Sequence, residues 1–79
     1  MLPKNIIGER VRLARKKARP RISQIYLAAR LQTLGLQVDQ AAISRIESGS
    51  HEVTDVEVAM IAKALGVTAG WLFGESENQ

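Results

Sequence analysis

The chain has no cysteine, one histidine, two prolines and three aromatic residues (Tyr26, Trp71 and Phe73) among its 79 residues. Without cysteine there is no disulfide and no thiolate metal site, and His51 alone makes no imidazole site, so no metal and no cofactor are expected. The zero count also fits a reducing compartment. No apolar run is long enough to cross a bilayer and nothing resembles a signal peptide, so the sequence predicts a soluble, cytoplasmic protein with no membrane contact. Nor is there a phosphate-cradling glycine loop, a paired-histidine motif or a pair of carboxylates spaced for acid–base work. Ser44 and His51 fall in different elements with no third member for a triad, so an enzyme is not expected. Linkers and low-complexity stretches are missing too. Residues 1–79 therefore read as one domain, with a core at about 6–74 and a polar tail at 75–79. At this size folding buries only about 60% of the extended-chain surface, which predicts modest stability.

Acidic residues are nearly absent from the first half. Residues 1–38 hold nine Lys/Arg and a single acid, Glu9, a surplus of +8, whereas residues 39–79 hold Arg45 and Lys63 against seven acids, a surplus of −5. The basic half suits a polyanion; a solvated charged face would have the same composition.

No segment alternates with the period-two pattern of a strand, and turn-forming residues recur. Ile7, Val11, Ala14 and Ala18 form a helical stripe, which predicts helix 1 at about residues 5–18, capped by Asn5 and stopped before Pro20. Helix 2 follows Ser23, turns Leu27, Leu31 and Leu34 inward, and stops at Gly35. Helix 3 is capped by Asp39 and ended by Gly49. Helix 4 follows Thr54, with Glu57 completing a capping box, and buries Val58, Ile61, Ala62 and Leu65 before Gly66. A short helix 5 follows Thr68 and carries Trp71, Leu72 and Phe73. The apolar pairs Ile22/Leu27, Val38/Ile43, Val53/Val58 and Val67/Leu72 flank these caps at the spacing of hydrophobic staples.

On a helical wheel Ala42, Ile43 and Ile46 share one side of helix 3. Gln40, Ala41, Ser44, Arg45 and Ser48 share the other, with Glu47 at the boundary. The outer side starts with small and amide-bearing groups, which let a backbone approach closely. Gln can pair bidentately with adenine, an alanine methyl can meet a thymine methyl, and Arg suits guanine or phosphate. An unremarkable surface helix would also accommodate these residues.

From Ile22 the segments ISQIYLAARL, VDQAAISRIESG and VTDVEVAMIAKALGVTAGWLFG follow in order, with IGERVRLAR in helix 1. Together they resemble the helix-turn-helix family of phage repressors and Cro, the XRE-like family, over about residues 6–74. The resemblance implies an all-α, compact five-helix bundle of the lambda-repressor-like DNA-binding type, helices 2 and 3 forming the helix-turn-helix. It implies that Gln24 holds a DNA phosphate, that Gln40, Ala41, Ser44 and Arg45 face bases or backbone, and that Arg15 pairs with Glu47 as a structural salt bridge. The chain departs from the pattern twice. Five extra residues lie between Leu27-Ala28 and Ile43-Ser44. They are expected to extend helix 2 through Gln32, Thr33 and Leu34 and to lengthen the turn with Leu36 and Gln37, altering the tilt of helix 3. After Gly49, where some members are basic, the chain reads SHEVTD. Phosphate contacts are therefore expected from Lys16, Lys17, Arg19 and Arg21, with Ser48, although a solvated loop would hold the same cluster.

The expected function is a sequence-specific double-stranded DNA-binding transcriptional regulator, a repressor that places helix 3 in the major groove of a palindromic operator. A homodimer is expected because one helix 3 spans too few base pairs. Its contact surface is expected around Val67, Trp71, Leu72 and Phe73, unless all of them are core. The competing reading is a helix-turn-helix protein-interaction module, antitoxin-like or an adaptor subunit, which the acidic second half favours.

Overall fold

Helix starts fall where a side chain takes up the free amides. Ser23 Oγ accepts from Tyr26 N–H at 3.0 Å, Asp39 Oδ1 from Ala42 N–H at 2.8 Å, and Thr68 Oγ1 from Trp71 N–H at 3.0 Å. Thr54 and Glu57 exchange bonds in both directions, at 3.1 and 2.9 Å, as a capping box. Each such cap is worth about 1 kcal/mol. In the computed structural model, which describes residues 2–75, they open α2 (Gln24–Thr33), α3 (Gln40–Ser48), α4 (Asp55–Leu65) and α5 (Ala69–Leu72). No strand occurs among the described residues. Of the predicted polar tail, all but Glu75 lies outside them.

The first helix, α1 (Gly8–Lys17), begins later than the Asn5 start read from the sequence. Asn5 caps it from outside: Oδ1 accepts from the amides of Ile7 and Gly8 at 3.1 and 3.0 Å, and residues 5–7 form the turn leading in. The other end of the same amide, Nδ2, donates to the carbonyls of Ile46 and His51 at 3.1 and 2.8 Å. One side chain thus fastens the start of α1 to the end of α3. Just beyond it, α1 meets the last turn of α3 at Gly8. A Cβ there would lie 2.3 Å from the Ile46 carbonyl oxygen and 2.7 Å from that of Glu47, so only glycine permits this approach.

At the end of α2 the structure corrects one expectation. Leu34 does not continue the inward stripe; it is 38% exposed. The helix stops at Thr33, and Gly35 at φ 98° reverses the chain, letting Gly35 N–H reach Gln32 O and Leu36 N–H reach Leu31 O. That left-handed closure swings Leu36, rather than Leu34, against the core.

The core draws on every helix. Val11 of α1, Leu27 and Leu31 of α2, Ile43 of α3, Ile61 of α4, Trp71 and Leu72 of α5, and Ile7 ahead of α1 are all essentially inaccessible. At about 1.5–3 kcal/mol per large apolar side chain, their burial is the main stabilising term. The staple residues join it, Ile22 buried and Val38, Val53 and Val67 packed on its edge. Helix α3 lies against α1 and α2, α4 against α1 and α2, and α5 closes the bundle on α1 and α4. Arg30 of α2 donates to the Ala64 carbonyl at 2.8 Å and stacks over Tyr26, placing a cation at the C-terminal end of α4.

Candidate nucleic-acid interface

Burial divides α3 cleanly. Ala42, Ile43 and Ile46 are buried, and Gln40, Ala41, Ser44, Arg45 and Ser48 are exposed on the opposite side. Asp39 takes up the Ala42 amide, so the first turn of α3 is held while Gln40 and Ala41 are exposed on it. Ser48 turns inward on its own helix, its hydroxyl donating to Arg45 O at 3.0 Å.

The first residue of α2 is tied to both ends of α3. Gln24 Nε2 donates to Glu47 Oε1 at 3.1 Å, and Gln24 Oε1 accepts from Gln40 Nε2 at 3.5 Å. Gln40 and Glu47 are two helical turns apart on one face of α3, so a single amide bridges them. Glu47 itself is buried at the junction of α1, α2 and α3. Arg15 grips both its oxygens, Nε on Oε2 and Nη2 on Oε1 at 2.8 Å, and Arg15 Nη1 donates to Ile22 O at 3.0 Å. Arg12 Nε adds a fourth, longer contact to Oε1 at 3.3 Å. Burial pushes the Glu47 carboxyl up, but hydrogen bonds from Arg15 and Gln24, the Arg15 charge and the Arg12 hydrogen bond outweigh it and hold the group below its ordinary value.

Arg12 received no role in the sequence reading. The signal for it was present: Arg12 and Arg15 are three residues apart on one helix face, so a carboxylate that meets one is within reach of the other. Asn5 was read only as a cap, because its second bond depends on where α3 ends in space.

The remaining predicted phosphate contacts, Lys16, Lys17, Arg19 and Arg21, are exposed around the α1–α2 connection. One Arg19 terminal nitrogen folds back onto the carbonyls of Lys16 and Ala18, each at 3.0 Å. Lys16, Lys17 and Arg21 have no hydrogen bond or ion pair from their side chains among the described residues. The expected dimer surface needs correction. Trp71 and Leu72 are 2% and 0% exposed, consumed by the protein's own core, with Arg10 stacked over the Trp71 ring. Val67 is half-buried, and only Phe73, just past α5, is exposed.

Among the described residues no cluster of His, Cys, Asp or Glu could hold a metal ion, and no helix is long and apolar enough to cross a membrane. A helix-pair unit, α2 and α3, displayed on a three-helix support and reached by a basic connection is the architecture of a helix-turn-helix DNA-binding domain. A family model described as helix-turn-helix matches residues 11–72, most of the chain. The protein belongs to that family, in its XRE and lambda-repressor type, whose domains are DNA-binding regulators. Comparison with curated proteins gave no match.

Proposed function

We propose that the protein is a sequence-specific transcriptional repressor that binds a palindromic operator as a homodimer, in the cytoplasm, with α3 in the major groove. The observation that carries this reading is the Gln24–Gln40 contact beside the exposed first turn of α3. With one Gln40 N–H turned toward Gln24, the other N–H and Oε1 are left for a base edge. That is one donor and one acceptor, the pattern adenine displays at N7 and N6, whereas guanine offers two acceptors there. Ala41 sets how closely the backbone approaches, and Ser44 and Arg45 extend the contact along the helix. Lys16, Lys17, Arg19 and Arg21 supply the charge for phosphates, Gln24 a neutral contact, and Ser48 another once its hydroxyl turns away from the Arg45 carbonyl. Two copies of α3 about 34–36 Å apart would read an inverted repeat, with Phe73 and the edge of Val67 as the apolar surface left for the contact between copies.

Selection from random duplex oligonucleotides, repeated with Gln40→Ala, tests the reading. The expected result is a palindromic site and, in the variant, relaxed preference at one base pair per half-site, a loss of about 1–3 kcal/mol on the preferred site. Equal weakening on every sequence would make Gln40 a backbone contact. Absence of duplex binding at low salt would leave a protein-interaction module.

A further inference from the structure

Resting on the DNA-binding reading above, we infer that Arg12 is a DNA-backbone contact, aimed by Glu47 at the same stretch of phosphates as Gln24. The buried junction contains two arginines and one carboxylate. Arg15, whose side chain is 9% exposed, already occupies both Glu47 oxygens and neutralises the charge. Arg12 is therefore surplus. Its contact to Glu47 is the longest of the four, on an oxygen shared with Arg15 and Gln24, and its side chain is 54% exposed. Only its Nε edge is held. The two terminal nitrogens have no hydrogen bond among the described residues, and with the Nε edge turned inward they face outward.

That is the geometry of a guanidinium anchored along one edge, with its fork preorganised for an oxyanion. Its position fixes which oxyanion. Arg12 Nε and Gln24 Nε2 donate to the same Glu47 oxygen, so the fork lies beside Gln24, the first residue of α2, whose own Oε1 reaches on to Gln40. The Gln24 amide has its oxygen and one N–H committed to Gln40 and Glu47, which leaves a single neutral donor. The charge a phosphodiester requires there comes from Arg12.

The test is the salt dependence of binding for wild type, Arg12→Gln and Arg12→Lys, on the selected operator and on random duplex, with melting temperatures of the free proteins. Arg12→Gln is expected to melt within a few degrees of wild type, because Arg15 and Gln24 still satisfy Glu47. Its log K against log salt should be shallower by about 0.9 per protomer, equally on both duplexes. The affinity lost between 50 and 200 mM salt would then be about threefold smaller per protomer. Arg12→Lys should restore the slope. An unchanged slope in Arg12→Gln would overturn the inference while leaving the DNA-binding reading intact. So would a melting temperature lowered as far as that of an Arg15 variant, which would make Arg12 purely structural. A wild-type protein that shows no salt-dependent duplex binding would overturn both.

Discussion

Replacing Glu47 with alanine removes the acceptor for four side-chain hydrogen bonds, from Arg15 twice, Gln24 and Arg12. Arg12 and Gln24 can turn to water. Arg15 cannot: its side chain is 9% exposed, and only the Ile22 carbonyl would remain as a partner. An uncompensated charge left in a buried pair costs roughly 3–5 kcal/mol. For a domain of this length the entire stability is about 4–12 kcal/mol. At roughly 4–8 °C per kcal/mol, the melting temperature should fall by about 12–40 °C, and if the wild-type stability lies near the low end of that range the variant is largely unfolded at 37 °C. Circular dichroism melts and urea titrations of Glu47→Ala and Arg15→Met, together with the double variant, make the test. Removing both charges should recover much of the loss, because a buried ion pair can often be exchanged for apolar groups without penalty. A single Glu47→Ala variant within about 1 kcal/mol of wild type would refute the reasoning, since that is the worth of a solvent-exposed pair.

The same carboxylate makes stability depend on pH, with a determined sign. Its folded value lies below the ordinary 4.5, so its stabilising contribution is complete above that value and is lost as pH falls through the lowered one. Wild-type stability should therefore decline on acidification below about 4.5, and Glu47→Gln should lose that part of the decline.

Gly8→Ala would raise helix propensity by about 1 kcal/mol in isolation. Here the added methyl meets two backbone oxygens that cannot step aside, so a net loss of about 1–3 kcal/mol in urea unfolding is expected instead. Asn5→Ala removes two donated and two accepted bonds at the α1–α3 junction and should cost about 1–2 kcal/mol by the same measurement. Leu34→Lys should be nearly neutral while Leu36→Ala costs about 1 kcal/mol or more; the reverse order would contradict the turn that ends α2.

What the sequence made legible was what local chemistry decides. Ser23, Asp39, Thr54 and Thr68 cap the helices read from them, because an N-cap acts on amides two or three residues away. The inner and outer faces of α3 followed from its period alone. Leu34 was misplaced for a related reason: it and Leu36 are both apolar, and only the exact residue at which Gly35 turns left-handed determines which one faces the core. Trp71 and Leu72 were assigned to a surface because a four-residue helix cannot bury them on its own; α1 and α4 supply the cover. The Arg15–Glu47 pairing came from the family resemblance, since the two residues are far apart in the chain. The second bond of Asn5 remained invisible because it depends on where the ends of α1 and α3 converge, whereas Arg12 could have been found from its place three residues before Arg15 on the same helix face.

That convergence also accounts for how the chain accommodates its longer α2–α3 connection. Extra residues next to a reading helix threaten its orientation, since a turn can act as a lever on the helix that follows. Here the added length is absorbed locally. Gln32 Nε2 donates to the Val38 carbonyl at 2.6 Å, and Leu36 and Val38 pack against the core, so both ends of the connection are fixed. Helix α3 takes its orientation from elsewhere. Gln24 bonds Gln40 in its first turn and Glu47 in its last, and Glu47 is gripped by Arg15 of α1, whose Nη1 bonds Ile22 just ahead of α2. To tilt α3 against α2, the chain would have to break the Gln24 bonds to Glu47 and Gln40, and to tilt it against α1 the buried Arg15–Glu47 pair. The extra length thus lies in a turn fixed at both ends, while Gln24 ties the start of α2 to the first and last turns of α3.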